Sequence, residues 1–114
     1  MESILTSIKK LLGIAEEYSH FDQDLIMHIN SVLSILTQLG VGPSDGFSIK
    51  NESDVWTDFI PQNPQLASVK SYVYLKVKML FDPPLSSSVA DAINRSIDEL
   101  EWRINVTVDP GEDE

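Results

Sequence analysis

Residues 65–81, QLASVKSYVYLKVKMLF, decide the fold of this chain because they predict a helix that is apolar on almost every side. On a helical wheel the large apolar side chains form three faces: Val69, Val73, Val77 and Leu80; Tyr72, Leu75 and Met79; and Tyr74 with Phe81. Ser71 and Lys78 are the main residues left for solvent. A helix of this kind is either central in the fold or covered by a neighbouring subunit.

The next segment, residues 87–105, predicts a final helix with an apolar stripe on one side and a tryptophan on the other. The stripe, within roughly an 80° arc, consists of Val89, Ile93, Ile97, Leu100 and Ile104. Trp102 lies near the opposite pole, and the serines at 86–88 offer N-caps. A second protein surface is expected to cover this Trp. The alternative is burial against the N-terminal helix or the middle loop of the same chain.

Two further helices are predicted upstream from apolar residues at helical spacing. The first carries Ile4, Leu5, Ile8, Leu11 and Leu12, and the second carries Leu25, Ile26, Ile29, Val32, Leu33, Leu36 and Leu39. Ser3 is the predicted N-cap of the first helix, which Gly13 ends. Asp22 is the predicted N-cap of the second, which Gly40 ends.

The segment between the second helix and residue 64 is rich in turn residues. Three glycines and a proline lie within residues 40–46, which indicates a loop. Residues 47–49 alternate like a very short strand, and residues 53–59 predict one or two helical turns capped by Ser53. Trp56, Phe59 and the adjacent Ile60 are expected to plug the loop onto the helices.

These patterns predict an all-α fold, a small bundle of about four helices with a short β segment in its middle loop. A chain of 114 residues is long enough for one core and too short for two. We assign residues 1–108 to a single helical domain. Residues 109–114, DPGEDE, are expected to form a flexible acidic tail.

Composition excludes several classes of function. A net charge of -10 argues against tight binding of duplex DNA, whose phosphates require many cations. The absence of Cys excludes disulfides and thiolate metal sites. The N-terminus has no basic segment before an apolar block, and no run approaches ~18 apolar residues. We therefore expect a soluble protein, made in the cytoplasm, with no membrane partner.

No residue pattern predicts catalysis. His20 and His28 are eight residues apart, whereas helical metal ligands lie three or four apart. The carboxylates lie mostly on predicted solvent faces, whereas acid-base catalysis needs one carboxyl in an apolar pocket facing a second. The sequence contains neither a Gly-x-Ser-x-Gly elbow nor a phosphate-binding Gly-Lys-Ser/Thr loop. We expect no enzyme activity, no metal site and no cofactor.

The order and spacing of five segments resemble the small head-tail connector proteins of long-tailed bacteriophages and related prophages. The segments are Phe21 through Asn30, Gln38-Leu-Gly-Val-Gly42, Tyr74-Leu-Lys-Val-Lys78, Phe81-Asp-Pro-Pro84 and Glu99-Leu-Glu-Trp-Arg103. None of them is a catalytic fingerprint. The resemblance spans nearly the whole chain, from about Ile4 to Val106.

The resemblance implies a structural virion protein at the head-tail interface, assembled in the cytoplasm of the bacterial host. Such adaptors, also called head-completion or DNA-packaging proteins, are mainly helical and dock beneath the portal after genome packaging. They form a homo-oligomeric ring that follows the portal, here expected to be twelvefold. The ring extends the DNA channel, carries a downstream stopper or tail-completion protein, and lets DNA pass without specific binding. The resemblance implies neither cofactor nor enzymatic turnover.

A cyclic assembly requires each subunit to present one patch and to receive a different one from its neighbour. The predicted protein-interface residues, taken from the last two helices, are Tyr72, Tyr74, Met79, Phe81, Glu99, Trp102 and Arg103. The alternative function is a small acidic regulatory or DNA-mimic protein that binds another protein. That function predicts regularly spaced carboxylates on one exposed face, whereas here they are scattered over helix ends and the tail.

Overall fold

The computed structural model describes residues 2–60 and 64–108, and within them the chain is all-α, as predicted. It contains α1 (Ile4–Leu12), α2 (Asp22–Gln38), the single turn α3 (Trp56–Phe59), α4 (Pro64–Phe81) and α5 (Ser87–Val108). None of these helices has both the length and the apolar character needed to cross a bilayer. Residues 109–114, the predicted flexible tail, lie outside the described residues, and the single-domain assignment stays a prediction.

The apolar helix α4 lies at the centre of the fold, which is one of the two positions predicted for it. It packs against α1, α2 and α5. Val69, Val73 and Val77 have no exposed surface. Leu80, predicted on the same face, is 53% exposed. The last turn of α4 instead packs through Phe81, whose ring lies 5.2 Å from that of Phe21 at the start of α2.

Helix α1 begins and ends as its sequence predicts. The Ser3 hydroxyl accepts a hydrogen bond from the Thr6 backbone N–H at 3.1 Å. Gly13 ends the helix in the left-handed region, with φ of 82°. Ile4, Leu5 and Ile8 face the core.

The prediction that Asp22 caps α2 is wrong, because this carboxylate has a stronger partner. Asp22 is the first residue of the helix, and Phe21 stands at the cap position without a side-chain hydrogen bond. The Asp22 Oδ1 atom lies 2.9 Å from Lys9 Nζ. An ion pair with a buried ammonium therefore replaces the predicted cap.

Lys9 is a buried cation that ties α1 to the segment before α2. It is 2% exposed, and its ammonium donates to the carbonyl oxygens of Glu16 at 2.9 Å and Tyr18 at 2.8 Å. With Asp22 it thus has three oxygen partners. The apolar periodicity of α1 gives no sign of this buried Lys.

The middle loop is held by side chains of the helices and not by a β ladder. The strand predicted at residues 47–49 is absent from the described part of the chain. The Asn30 side chain on α2 accepts from the Ile49 N–H at 2.7 Å and donates to the Ile49 carbonyl at 3.1 Å. Since one amide satisfies both backbone groups of Ile49, no strand partner is required.

The short helix α3 plugs the loop onto the core, as predicted, although its cap differs. Trp56, Phe59 and Ile60 are all at least 94% buried, and Trp56 Nε1 donates to the Ser7 hydroxyl at 2.8 Å. The predicted Ser53 cap is wrong: Val55 occupies that position without a side-chain hydrogen bond. The one β-bridge in the described residues joins Ser3 to Val55. This backbone pairing between Ser3 and Val55 thus holds α3 beside the start of α1.

Helix α5 begins at the predicted residue and runs three residues beyond the predicted end at Asn105. The Ser86 hydroxyl accepts from the Val89 N–H at 3.4 Å, near its start. Ile97 and Ile104 are buried, whereas Val89, at one end of the predicted stripe, is 48% exposed. Helix α5 therefore attaches to the bundle mainly along one side, against α4.

Candidate interaction surface

One side of α5, which turns mostly away from α4 and borders it at Ser88 and Ala92, is a continuous exposed surface. Six residues at alternating spacings of four and three form it, and all six are exposed: Ser88, Ala92, Arg95, Glu99, Trp102 and Val106. We call this set the α5 outer face. Trp102 is 66% exposed and Val106 is 50% exposed. The prediction that Trp102 points outward is confirmed, and among the described residues neither the N-terminal helix nor the middle loop buries this ring.

Glu99 and Arg103 form an ion pair one helical turn apart beside Trp102. Both side chains are 60% exposed, so water screens the attraction. An exposed pair of this kind contributes little to stability.

Tyr72, predicted as an interface residue of α4, is buried. It has no exposed surface, and its hydroxyl donates to Glu101 Oε2 on α5 at 2.7 Å. Burial, together with this carboxylate, raises the pKa of the Tyr72 hydroxyl well above its usual range. Tyr72 thus fixes how α5 sits on α4, and its ring is not available to a neighbouring subunit. The wheel pattern missed this because it showed no partner for the hydroxyl.

The other residues predicted for an interface on α4 are half-buried. Tyr74, Met79 and Phe81 all pack against the core of the same chain. Phe81 also closes a cluster of aromatic rings at one end of the bundle, where the His28 ring lies 6.5 Å from it. Each retains some accessible surface, and a role in assembly stays a prediction for these three residues.

An apolar groove runs between α4 and the first half of α5. It has a volume of about 310 Å³ and is lined by Leu75, Ser88, Val89, Ala92, Ile93 and Ser96. Leu85, in the turn before α5, is fully exposed. The exposed apolar area of the chain thus extends from the α5 outer face towards this turn.

The described residues place both histidines among aromatic rings. They include no group of three or more His, Asp or Glu side chains placed to hold a metal ion. His20 packs edge-on against Phe21, with ring centroids 4.9 Å apart, and belongs with His28 to the aromatic cluster. The groove beside α5 is mainly apolar, whereas a second groove, along α2 near Asn30, is lined by polar and apolar surface alike.

The two tryptophans give a direct test of this surface. Trp56 is 2% exposed and Trp102 is 66% exposed. We expect acrylamide to quench only part of the fluorescence, because it reaches Trp102 alone. In a Trp102→Phe variant the remaining emission should be blue-shifted and nearly unquenched. Equal quenching of both rings would contradict the burial of Trp56 and the exposure of Trp102.

Comparison with known proteins identifies a family for this chain. The sequence model of one protein family, described as "Phage connector protein", matches residues 4–111. Comparisons with curated proteins and with solved structures found no match. Members of a phage connector family are structural components of the virion that contact other head or tail proteins. Since the match covers nearly the whole chain, the protein belongs to the phage connector protein family.

Proposed function

We propose that the protein is a head-tail adaptor that docks as a ring beneath the portal after genome packaging. In this position the ring extends the DNA channel and offers a platform to the stopper or tail-completion protein. A twelvefold ring would match the portal. The observation that carries the proposal is the exposed Trp102 on a helix that is fastened to its own bundle mainly along the opposite side.

Trp102 has the properties of an interface anchor. Aromatic and Arg side chains dominate the binding energy of many interfaces when a partner desolvates them. Here a large ring stands beside an exposed Glu99–Arg103 pair. Covering the ring removes apolar surface from water, and the pair supplies charges that a partner can contact.

Assembly on the portal follows from multivalency. Lateral contacts that are too weak to hold a free ring become effective when the portal presents many equivalent sites, because each added subunit then meets both portal and neighbour. We therefore expect monomers or mixed small oligomers in dilute solution and an ordered ring on the portal. A closed ring that persists at about nanomolar concentration without portal would contradict this mechanism.

The negative charge suits a channel through which DNA slides. A net charge of -10 on each subunit is repeated around the ring, and carboxylates near phosphates oppose tight binding. DNA is expected to pass without adhering to the wall. A lumen lined by Lys and Arg would contradict this part of the proposal.

The test is reconstitution onto a portal complex, with occupancy counted by electron microscopy. Trp102→Ala is expected to raise the concentration needed for half-occupancy by about tenfold or more, as loss of a hot-spot ring does. Its far-ultraviolet circular dichroism should be unchanged, because the ring makes little contact with its own core. The control is Met27→Ala, which removes a side chain of similar exposure, 59%, from α2. Equal docking of both variants would overturn the role of Trp102.

A further inference from the structure

The α5 outer face is complementary to a second copy of itself that runs in the opposite direction. Its six positions run along one side of the helix with spacings of 4, 3, 4, 3 and 4 residues, a pattern that reads the same in both directions. Reversal pairs Ser88 with Val106, Ala92 with Trp102 and Arg95 with Glu99. The smallest side chain of the face thus meets the largest, and the cation meets the anion.

We propose that the free protein forms a two-fold dimer in which the outer faces of two α5 helices pack antiparallel. The occupant of this face is a second copy of the chain. A two-fold contact uses the same patch on both subunits, whereas the ring proposed above needs two different patches. The dimer is therefore a separate state of the protein.

Charge complementarity carries the proposal. In the described part of the chain no carboxylate lies within ion-pair distance of Arg95. Arg95 is exposed on α5, and in the antiparallel register it faces the partner's Glu99, a carboxylate that also pairs with Arg103 of its own helix. Symmetry repeats the contact, so two ion pairs cross the centre of the dimer. Opposite charges at such positions set the orientation and register of paired helices.

Size complementarity supports the same register. Trp102 is the largest exposed side chain of α5, and the side chain opposite it, the partner's Ala92, is a single methyl group. Close approach of the two helices is therefore possible at this layer, and both indole rings lose water contact. A parallel arrangement would instead stack Trp102 on Trp102 and Arg95 on Arg95, which places like charges together.

The register also limits the affinity. Asp98 flanks the outer face close to the centre, so the two Asp98 side chains repel each other in the dimer. The apolar area is small, because only Ala92, Trp102 and Val106 contribute to it from each copy. We expect a dissociation constant in the micromolar range, suited to a dimer that must open again.

Such a dimer would regulate assembly, a consequence that rests on the proposed function. It covers Trp102, the ring assigned to docking, until the portal competes for it. Mass action then favours the dimer where the free protein accumulates and the docked form where portals are present. The dimer itself requires no portal and is tested on the chain alone.

The experiment is sedimentation equilibrium of wild-type protein and two charge reversals. Arg95→Glu places Glu opposite Glu99, and Glu99→Arg places Arg opposite Arg95, so each variant alone should dimerise about tenfold more weakly or worse. An equimolar mixture of the two variants should form a heterodimer, in which every pair is again opposite in charge. The double variant Arg95→Glu/Glu99→Arg should dimerise like the wild type.

Lys10→Glu is the matched control, because it makes the same change in net charge as Arg95→Glu at an exposed position of α1. It should dimerise normally. In the wild type, Trp102 emission should shift to the blue as concentration rises, and in Arg95→Glu it should not. A wild type that stays monomeric at about 100 times the expected dissociation constant would overturn the proposal. Failure of the two single variants to recover dimerisation when mixed would overturn it too.

Failure here and failure of the docking proposal are distinguishable. If the wild type docks normally but forms no dimer, only the antiparallel contact is refuted. If the wild type dimerises normally but does not dock on the portal, only the proposed adaptor function is refuted.

Discussion

Lys9→Met is expected to lower the free energy of unfolding by about 3 kcal/mol, because breaking a buried ion pair from one side leaves the other charge uncompensated. Met retains the length of the aliphatic stem, so the change removes the ammonium and little packing. It leaves the Asp22 carboxylate without its counter-charge and two backbone carbonyls without their donor. The estimate lies at the lower end of the usual range because the Asp22 side chain is 22% exposed and can recruit water.

Urea unfolding followed by circular dichroism measures this effect. Lys10→Met is the control, since Lys10 is the exposed neighbour on the same helix and should change the midpoint little. A double variant, Lys9→Met/Asp22→Asn, should recover part of the loss, because it removes the unpaired charge as well. Equal stability of Lys9→Met and Lys10→Met would show that the buried ammonium is not a structural element.

Gly42→Ala is expected to destabilise the fold by about 3 kcal/mol, the sum of a conformational and a steric cost. Gly42 has a φ of +82°, a left-handed conformation that L side chains rarely adopt. A Cβ at this position would overlap Cε1 of Phe59, far inside van der Waals contact. That ring is 2% exposed and lies against the ring of Phe47, so it cannot move without disturbing the packing of α3 on the core.

Gly13→Ala separates the two costs. Gly13 has the same φ of +82°, but a Cβ there meets nothing within 4 Å. It should therefore show the conformational cost alone, and the difference between the two variants in thermal or urea unfolding measures the clash with Phe59. If Gly42→Ala were no less stable than Gly13→Ala, the close approach of Phe59 to the loop would be wrong.

Helices α1, α2 and α5 are predictable because each has an apolar periodicity in its local sequence. The cap of α1 is predicted correctly because both of its partners, the Ser3 hydroxyl and the Thr6 N–H, lie within one turn of the chain. Asp22 was assigned wrongly as a cap because its partner, Lys9, belongs to another helix. A cap motif describes only residues close in sequence, whereas an ion pair across elements depends on the fold.

The middle loop shows the same limit. Residues 47–49 alternate like a strand, but a strand needs a partner, and the helix side chain of Asn30 takes that place. In the site, the outward direction of Trp102 followed from helix geometry alone. The burial of Tyr72 did not, because it depends on Glu101, which comes from a different helix.

The attachment of α5 along one side has a consequence for how this protein can evolve. The side chains that hold α5 to α4 (Ile97, Ile104 and the Tyr72–Glu101 pair) are different from those of the outer face. Substitutions at exposed positions of a helix usually change stability by less than about 0.5 kcal/mol. Recognition and folding are thus encoded by separate residues, so a lineage can acquire a new binding partner through the outer face while it inherits the same bundle.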